Sequence, residues 1–312
     1  MIRHFIDLFD VTQAEAAEIL GLAAQLKAEN HRHAHRPQLL AGRTLGLVFD
    51  KPSLRTRVSF EAAITQLGGN ALFLHGKDVG MGSRETVADF ARVISQYVDA
   101  LAVRTFSQTT IEELSRHATI PIINALSDSA HPCQALADLL TLKEQLGRLE
   151  GLKFVFVGDG NNVARSLAQA SALFGVDFVL ACPPGYEYPS DFTARFAVAY
   201  PGIPLSIEND PAKAVEGADA VYTDVWASMG QEAEVDSRKE VFASYRVDAP
   251  LMALAKPEAI FLHCLPARRG EEVTDAVLDG PQSRVIPEAA NRLHLQKALL
   301  AWLLSDNQEV TK

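Results

Sequence analysis

Cysteine is scarce, with three in 312 residues (Cys133, Cys182 and Cys264) and no CxxC pair among them. That excludes a disulfide framework and a cysteine-based zinc site, and points to a reducing compartment. No run of 18 uncharged apolar residues occurs, so no segment reads as a membrane span. Positive charge is in deficit: 29 Lys and Arg stand against 39 Asp and Glu, a formal charge of −10. An acidic chain lacks the basic face that nucleic-acid-binding proteins use, so any anionic ligand needs a local basic pocket. Short internal repeats and low-complexity tracts are also absent. Near the start, Arg3, His4, Asp7 and Asp10 interrupt what would be a signal-peptide core. The expected location is therefore the cytoplasm, where the chain is made.

Apolar residues make up 48% and charged ones 22%, which suits a folded globular chain and excludes intrinsic disorder. At about 150 residues per domain, the length suggests two domains. Continuous apolar strands are expected at 44–49, 71–75, 100–105 and 121–126, with helices at 53–67, 86–98 and near 110–117. A helix at 132–146, opened by Pro132, ends at the polar break LGRLEG (146–151). The pattern then restarts, with strands at 153–160, 177–183, near 204–208, at 219–224 and at 259–266. A last helix runs from Glu288 to about Leu304. Such strands, covered by helices on both faces, imply an α/β protein of two domains, each a parallel sheet flanked by helices. The expected domains are 1–146 and 147–287, followed by the helix within 288–312. HRHAHR (31–36) carries alternating histidines, which read as a solvated loop after the first helix rather than as a metal site.

Four stretches lie where strands end, the place where ligands gather in open α/β sheets. Lys51-Pro52-Ser53-Leu54-Arg55-Thr56-Arg57 follows the strand at 44–49, and a helix begins at Ser53. The first N–H groups of a helix lack partners, and its dipole is positive there. Two arginines in that turn oppose the dipole unless an anion cancels both fields, so an anion site is a better reading than a plain cap. Arg104 ends the strand at 100–105, where a lone Arg is most often a surface ion pair. His131-Pro132-Cys133-Gln134 leads into the next helix. His131 can donate an N–H to a carbonyl oxygen, Gln134 offers both a donor and an acceptor, and Cys133 reads as a small buried residue.

The fourth stretch is spread over the second half. Asn161-Asn162 follows Gly158-Asp159-Gly160, Asp224 precedes Trp226-Ala227-Ser228-Met229-Gly230, and His263-Cys264-Leu265-Pro266 ends a strand. A carboxylate, an amide and a hydroxyl can together hold an amino acid's ammonium and carboxylate groups. Singly, they also read as an Asx turn, a loop Ser and a buried Cys. GDGNNVAR matches only the G-x-G of a dinucleotide fingerprint. Val163 stands where the next glycine belongs, and the following strand closes with Cys182-Pro183-Pro184 rather than an acid, which disfavours a nicotinamide dehydrogenase.

Taken together and in order, Ser-Leu-Arg-Thr-Arg (53–57), His-Pro-Cys-Gln (131–134), Asp-x-x-x-Ser-Met-Gly (224–230) and His-Cys-Leu-Pro (263–266) resemble the aspartate/ornithine carbamoyltransferase family. The first two motifs occur in carbamoyltransferases generally, and the last two mark the ornithine branch. The resemblance covers nearly the whole chain. It implies an N-terminal domain for carbamoyl phosphate and a C-terminal domain for L-ornithine, with the last helix returning to the first domain. It also implies a homotrimer with the active site near the subunit interface, and no cofactor or metal. By the matching motifs, Ser53, Leu54, Arg55 and Thr56 would hold the phosphate, with Arg57 and Arg104 adding charge. Thr56, Arg104 and His131 would face the carbonyl oxygen, while Gln134 and the Leu265 carbonyl would hold the carbamoyl NH2. Asn162, Asp224, Ser228 and Met229 would grip ornithine, Cys264 would lie beside its side-chain amine, and Arg292 would lie near the carbamoyl phosphate.

The reaction implied is carbamoyl transfer to ornithine's side-chain amine, giving L-citrulline and phosphate, with arginine biosynthesis the family default. Its rate should rise with pH, because an alkyl amine of pKa ~10.4 must first lose a proton. The alternatives are a carbamoyltransferase for another amine, such as putrescine or acetylornithine, or a non-catalytic trimeric relative. Two departures stand out. Leu54 replaces a common Thr, at a place where the backbone N–H does the binding. Gly80, in KDVGMGSRET (77–86), falls where many members carry a Gln or His that reaches the neighbouring subunit's phosphate, and Ser83 or Arg84 are the candidates to replace that contact.

Overall fold

The computed structural model describes residues 2–31, 38–227 and 234–305. Two compact units divide the chain, one holding Met1–Leu140 with Arg292–Lys312 and the other Thr141–Asn291. The sequence reading places the breaks at 146/147 and 287/288. The division by compactness falls inside two helices, α6 (Pro132–Leu146) and α13 (Val285–Leu304). Neither helix carries a glycine, or a proline beyond its first turn, so nothing in composition marks where one unit ends.

In the first unit, β1 (Thr44–Phe49), β2 (Asn70–His75), β3 (Ala100–Arg104) and β4 (Ile122–Leu126) form a parallel sheet of order β2-β1-β3-β4. The central strands β1 and β3 read as unbroken apolar runs because both their faces are covered. Connecting helices are α1 (Gln13–His31), α2 (Leu54–Gln66), α3 (Gly76–Val79), α4 (Val87–Ile94), α5 (Gln108–His117) and α6. α4 is shorter than the 86–98 expected. Thr86 caps its start and Ser95 its end, and 96–98 turn toward β3. α1 buries Ala16, Ile19, Ala23 and Leu26, spaced three and four apart. α13 begins three residues before the expected Glu288, with Pro287 tolerated in its first turn. It buries Leu295, Ala298, Leu299 and Ala301 completely. Its Trp302 Nε1 donates to Glu18 of α1 at 3.1 Å, and the Arg3 guanidinium lies 4.2 Å over the Trp302 ring. The last helix therefore packs on the N-terminal unit.

In the second unit, β5 (Lys153–Val157), β6 (Asp177–Ala181), β7 (Ser206–Glu208), β8 (Ala220–Thr223) and β9 (Ile260–Leu262) are parallel in the order β7-β6-β5-β8-β9. Helices α7 (Asn162–Phe174), α8 (Ser190–Ala199), α9 (Pro211–Val215), α10 (Val235–Phe242), α11 (Ala249–Met252) and α12 (Asp275–Leu278) connect and cover them. Tyr222 is fully buried, stacked on Phe156 at 5.5 Å and edge-on to Phe154 at 6.1 Å. β9 ends at Leu262, short of the 266 expected, because Leu265 takes φ 55° and turns the chain out of the sheet.

Each sheet reverses its build direction once, between β1 and β3 in the first and between β5 and β8 in the second. Such switch points open a crevice beyond the carboxyl ends of the strands. β1 and β3 end level there, with Phe49 opposite Arg104.

Candidate active site

The first cluster forms at the β1/β3 switch point. Ser53 caps α2: its Oγ accepts from Thr56 N–H at 3.4 Å and lies 3.0 Å from Thr56 Oγ1. Leu54 and Arg55 occupy the first turn, both exposed, and Arg55 makes no ion pair among the described residues. Thr56 is fully buried, and its Oγ1 accepts from Arg292 Nη2 at 2.7 Å. Thus 236 positions along the chain close into one contact. Arg104 is buried at the end of β3, beside a register shift in which it pairs Leu126 while Val103 pairs Asn124. Such bulges re-aim side chains next to functional sites.

His131 arrives by a tight turn after β4, where Ser127 N–H donates to the Ala130 carbonyl at 3.0 Å and Ala130 N–H to Ser127 Oγ at 3.1 Å. The His131 imidazole is held well below its ordinary pKa, first by burial and then by the charges of Arg292 and Arg104. It is therefore neutral near pH 7 and keeps one ring N–H to donate. Both guanidiniums thus act on His131 in the same direction as burial. Cys133 is buried, and its thiol is pushed up to about 12 by desolvation, so it stays protonated. Gln134, also buried, has its Nε2 donating to Asp138 Oδ1 at 2.8 Å.

Arg57 does not join this cluster. Its Nε donates to Glu61 Oε1 at 2.8 Å, and its guanidinium stacks 3.7 Å over Phe73. An i,i+4 pair directs it along the helix, away from the first turn. Gly80 has φ 63°, and a Cβ there would meet the Arg84 side chain at 2.6 Å, which accounts for glycine in place of a longer residue. Arg84 Nη1 donates to the Asp78 carbonyl at 3.3 Å and Ser83 Oγ to the Gly80 carbonyl at 2.9 Å, so both are turned back onto their own loop.

The second cluster forms at the β5/β8 switch point. Asn161 caps α7, its Oδ1 accepting from Val163 N–H at 2.9 Å and Ala164 N–H at 3.0 Å. Its Nδ2 donates to Asp224 Oδ2 at 3.4 Å. Asn162 is the first residue of α7 and is half-buried. Asp224 is buried past the end of β8, with Cys264 Sγ 3.2 Å from its Oδ1. Burial raises the Asp224 pKa above the usual carboxylate value. Ser228 and Met229 lie outside the described residues, as does HRHAHR beyond His31. The sequence reading singles out Asn161-Asn162 and gives the ligand role to Asn162; the cap and the bond to Asp224 belong to Asn161.

The turn that carries Cys264 is stapled from two sides. Leu265 N–H donates to His263 Nδ1 at 2.9 Å, and His263 Nε2 lies 3.1 Å from Glu272 Oε1. Glu272 also accepts from Arg268 N–H at 2.6 Å, while Glu288 Oε2 accepts from His263 N–H at 2.8 Å. Glu272 is fully buried in a segment, RRGEEV, that reads as polar loop, so no sequence signal singled it out. Asp224, His263 and Cys264 place potential ligand atoms within 4.8 Å of one another. Both His263 ring nitrogens are already engaged, however, so a cation there would have to displace the Leu265 or the Glu272 contact. The GDG turn is likewise committed, since a Cβ on Gly160 would meet the Glu187 backbone at 2.7 Å. Its close approach is to this chain itself, not to a pyrophosphate.

Two family profiles match the chain end to end. One, described as the carbamoyl-P binding domain of aspartate/ornithine carbamoyltransferase, covers residues 3–144. The other, the Asp/Orn binding domain, covers residues 150–303. The chain belongs to the aspartate/ornithine carbamoyltransferase family. Among similar members of that family, a protein of Anoxybacillus flavithermus named ornithine carbamoyltransferase is 50% identical over 305 residues, covering 97% of this chain and 96% of that protein. One from Pyrococcus furiosus, named as the anabolic form, is 49% identical over 306 residues, covering 97% and 96%. A solved structure of the Pyrococcus furiosus ornithine carbamoyltransferase matches with a TM-score of 0.92 at 48% identity, covering 97% of both chains. Within the family's two-domain plan, one switch point of this chain collects cationic groups and the other a carboxylate with amide and thiol neighbours.

Proposed function

We propose that this chain transfers the carbamoyl group of carbamoyl phosphate to the side-chain amine of L-ornithine, giving L-citrulline and phosphate. The observation that carries the reading is the buried set Thr56, Arg104, His131 and Arg292, with Arg292 bonded to Thr56 in the first turns of α2, a cationic cluster in a chain of net charge −10. In this assignment the phosphate lies on the first-turn N–H groups of Ser53 to Thr56, with Arg55 and Arg104 supplying charge. Arg57, paired with Glu61, contributes field only. Arg104, the neutral His131 and Thr56 donate to the carbonyl oxygen, where negative charge grows as the amine adds. One such donor is typically worth ~10²–10³ in turnover. The C–N bond forms, the C–O bond to phosphate breaks, and the departing phosphate takes the amine's proton.

Asp224 carries the anionic charge suited to the α-ammonium of ornithine, and Asn162, Ser228 and Met229 are assigned to its α-carboxylate and backbone contacts. Cys264, whose thiol donates to Asp224 Oδ1 at 3.2 Å, orients the side-chain amine. The anabolic name of the Pyrococcus relative supports a place in arginine biosynthesis. We further assign a homotrimeric state and a cytoplasmic location. The test is direct: purified protein is given carbamoyl phosphate with ornithine, putrescine, acetylornithine or aspartate, and ureido product is measured. Ornithine is expected to give the highest kcat/KM. No product with any amine, or more with putrescine or acetylornithine, overturns the reading.

A further inference from the structure

Gln134 and Asp138 sit one turn apart on α6, both fully buried, joined by the 2.8 Å bond from Gln134 Nε2 to Asp138 Oδ1. A primary amide has two unlike ends, and only its oxygen can accept from an NH2 group. A carboxylate oxygen accepts, so it takes the nitrogen end of the amide and turns the oxygen end the other way. We infer that Asp138 is a positioning residue that sets the orientation of the Gln134 amide, and so selects an acyl phosphate bearing NH2 over one bearing CH3. This rests on the proposed use of carbamoyl phosphate and on Gln134 holding its NH2, the role that the family resemblance implies.

Acetyl phosphate is the probe. It matches carbamoyl phosphate in charge and shape, but offers a methyl where carbamoyl phosphate offers two N–H donors. With the oxygen end of Gln134 presented, the methyl has no N–H to donate to it. With the orientation released, the two compounds become closer in affinity. A pair that merely stabilised the helix would, when broken, weaken both compounds by the same factor.

The experiment measures KM for carbamoyl phosphate and the inhibition constants of acetyl phosphate and inorganic phosphate, with citrulline formation as readout. It compares the wild type, Asp138→Asn and Gln134→Ala. The wild type should favour carbamoyl over acetyl phosphate by at least about ten-fold, the worth of one buried hydrogen bond left unmade. Asp138→Asn, which can receive either end of the Gln134 amide, should lose about that ten-fold preference while keeping its affinity for inorganic phosphate. If circular dichroism shows that Asp138→Asn is unfolded, Asp138→Ser is put through the same comparison. A preserved ratio in the Asp138 variants, with the ratio lost in Gln134→Ala, overturns the positioning role alone. A preserved ratio in Gln134→Ala removes Gln134 from the carbamoyl group and takes the inference with it.

Discussion

A carboxylate taken out of water holds its proton more tightly, and Asp224 is such a group. Burial raises its pKa, with the bonds that it accepts from Val225 N–H and the Cys264 thiol opposing the rise. The sign of the consequence is fixed. Only the ionised form attracts an ammonium, so affinity for ornithine is lost as pH falls through the raised pKa, above the ordinary carboxylate value of about 3.9. KM for ornithine should therefore climb on the acid side of neutrality. Asp224→Asn should raise KM by ten-fold or more, about the worth of a charged hydrogen bond, and flatten that limb. An unchanged acid limb in the variant would remove Asp224 from the ammonium. His131 is a contrast, since burial and two arginines hold it neutral. At this scale the motif residues Thr56, Arg104, His131 and Asp224 were legible in the sequence. Glu272 and Asp138 were not, because each acts on another side chain rather than standing in a motif.

Turns and helix ends do the positioning. The α2 cap at Ser53 is readable from sequence, as are the strand ends that carry Arg104 and Asp224. The β9 turn is different. Leu265 lies in the left-handed region that L residues avoid at roughly 1–2 kcal/mol, and its N–H is held by His263. Glu272 in turn braces both His263 and the Arg268 N–H. Glu272→Ala strips an acceptor from two groups at once and should destabilise the fold by about 1–3 kcal/mol per unmet donor. Glu272→Gln, which still accepts through Oε1, should lose less. Urea unfolding midpoints of the two variants check this, and equal losses would mean that the brace is not a hydrogen-bonding one. Gly80 is the converse case: φ 63° and the nearby Arg84 side chain explain its glycine.

Across the whole molecule, chain order and spatial order part company. α13 begins in the second unit and ends in the first, where Arg292 meets Thr56 and Trp302 meets Glu18. The chain's two tryptophans report on different units, Trp226 on the second and Trp302 on the first. In a Trp226→Phe background, Leu299→Ala, at a fully buried site on α13, should lower the stability read by Trp302 fluorescence by about 2–5 kcal/mol. No loss would mean that α13 adds little to the first unit's core.

Apolar strand runs, helix spacing and helix caps are local properties, so two parallel α/β domains and the stretches at their strand ends could be derived from the residues in order. Which strand neighbours which, where each sheet reverses, and which buried carboxylate braces which side chain depend on contacts between residues far apart in the chain. Arg292 on Thr56 and Glu272 on His263 exist only once the chain has folded, because burial and electrostatics act through space.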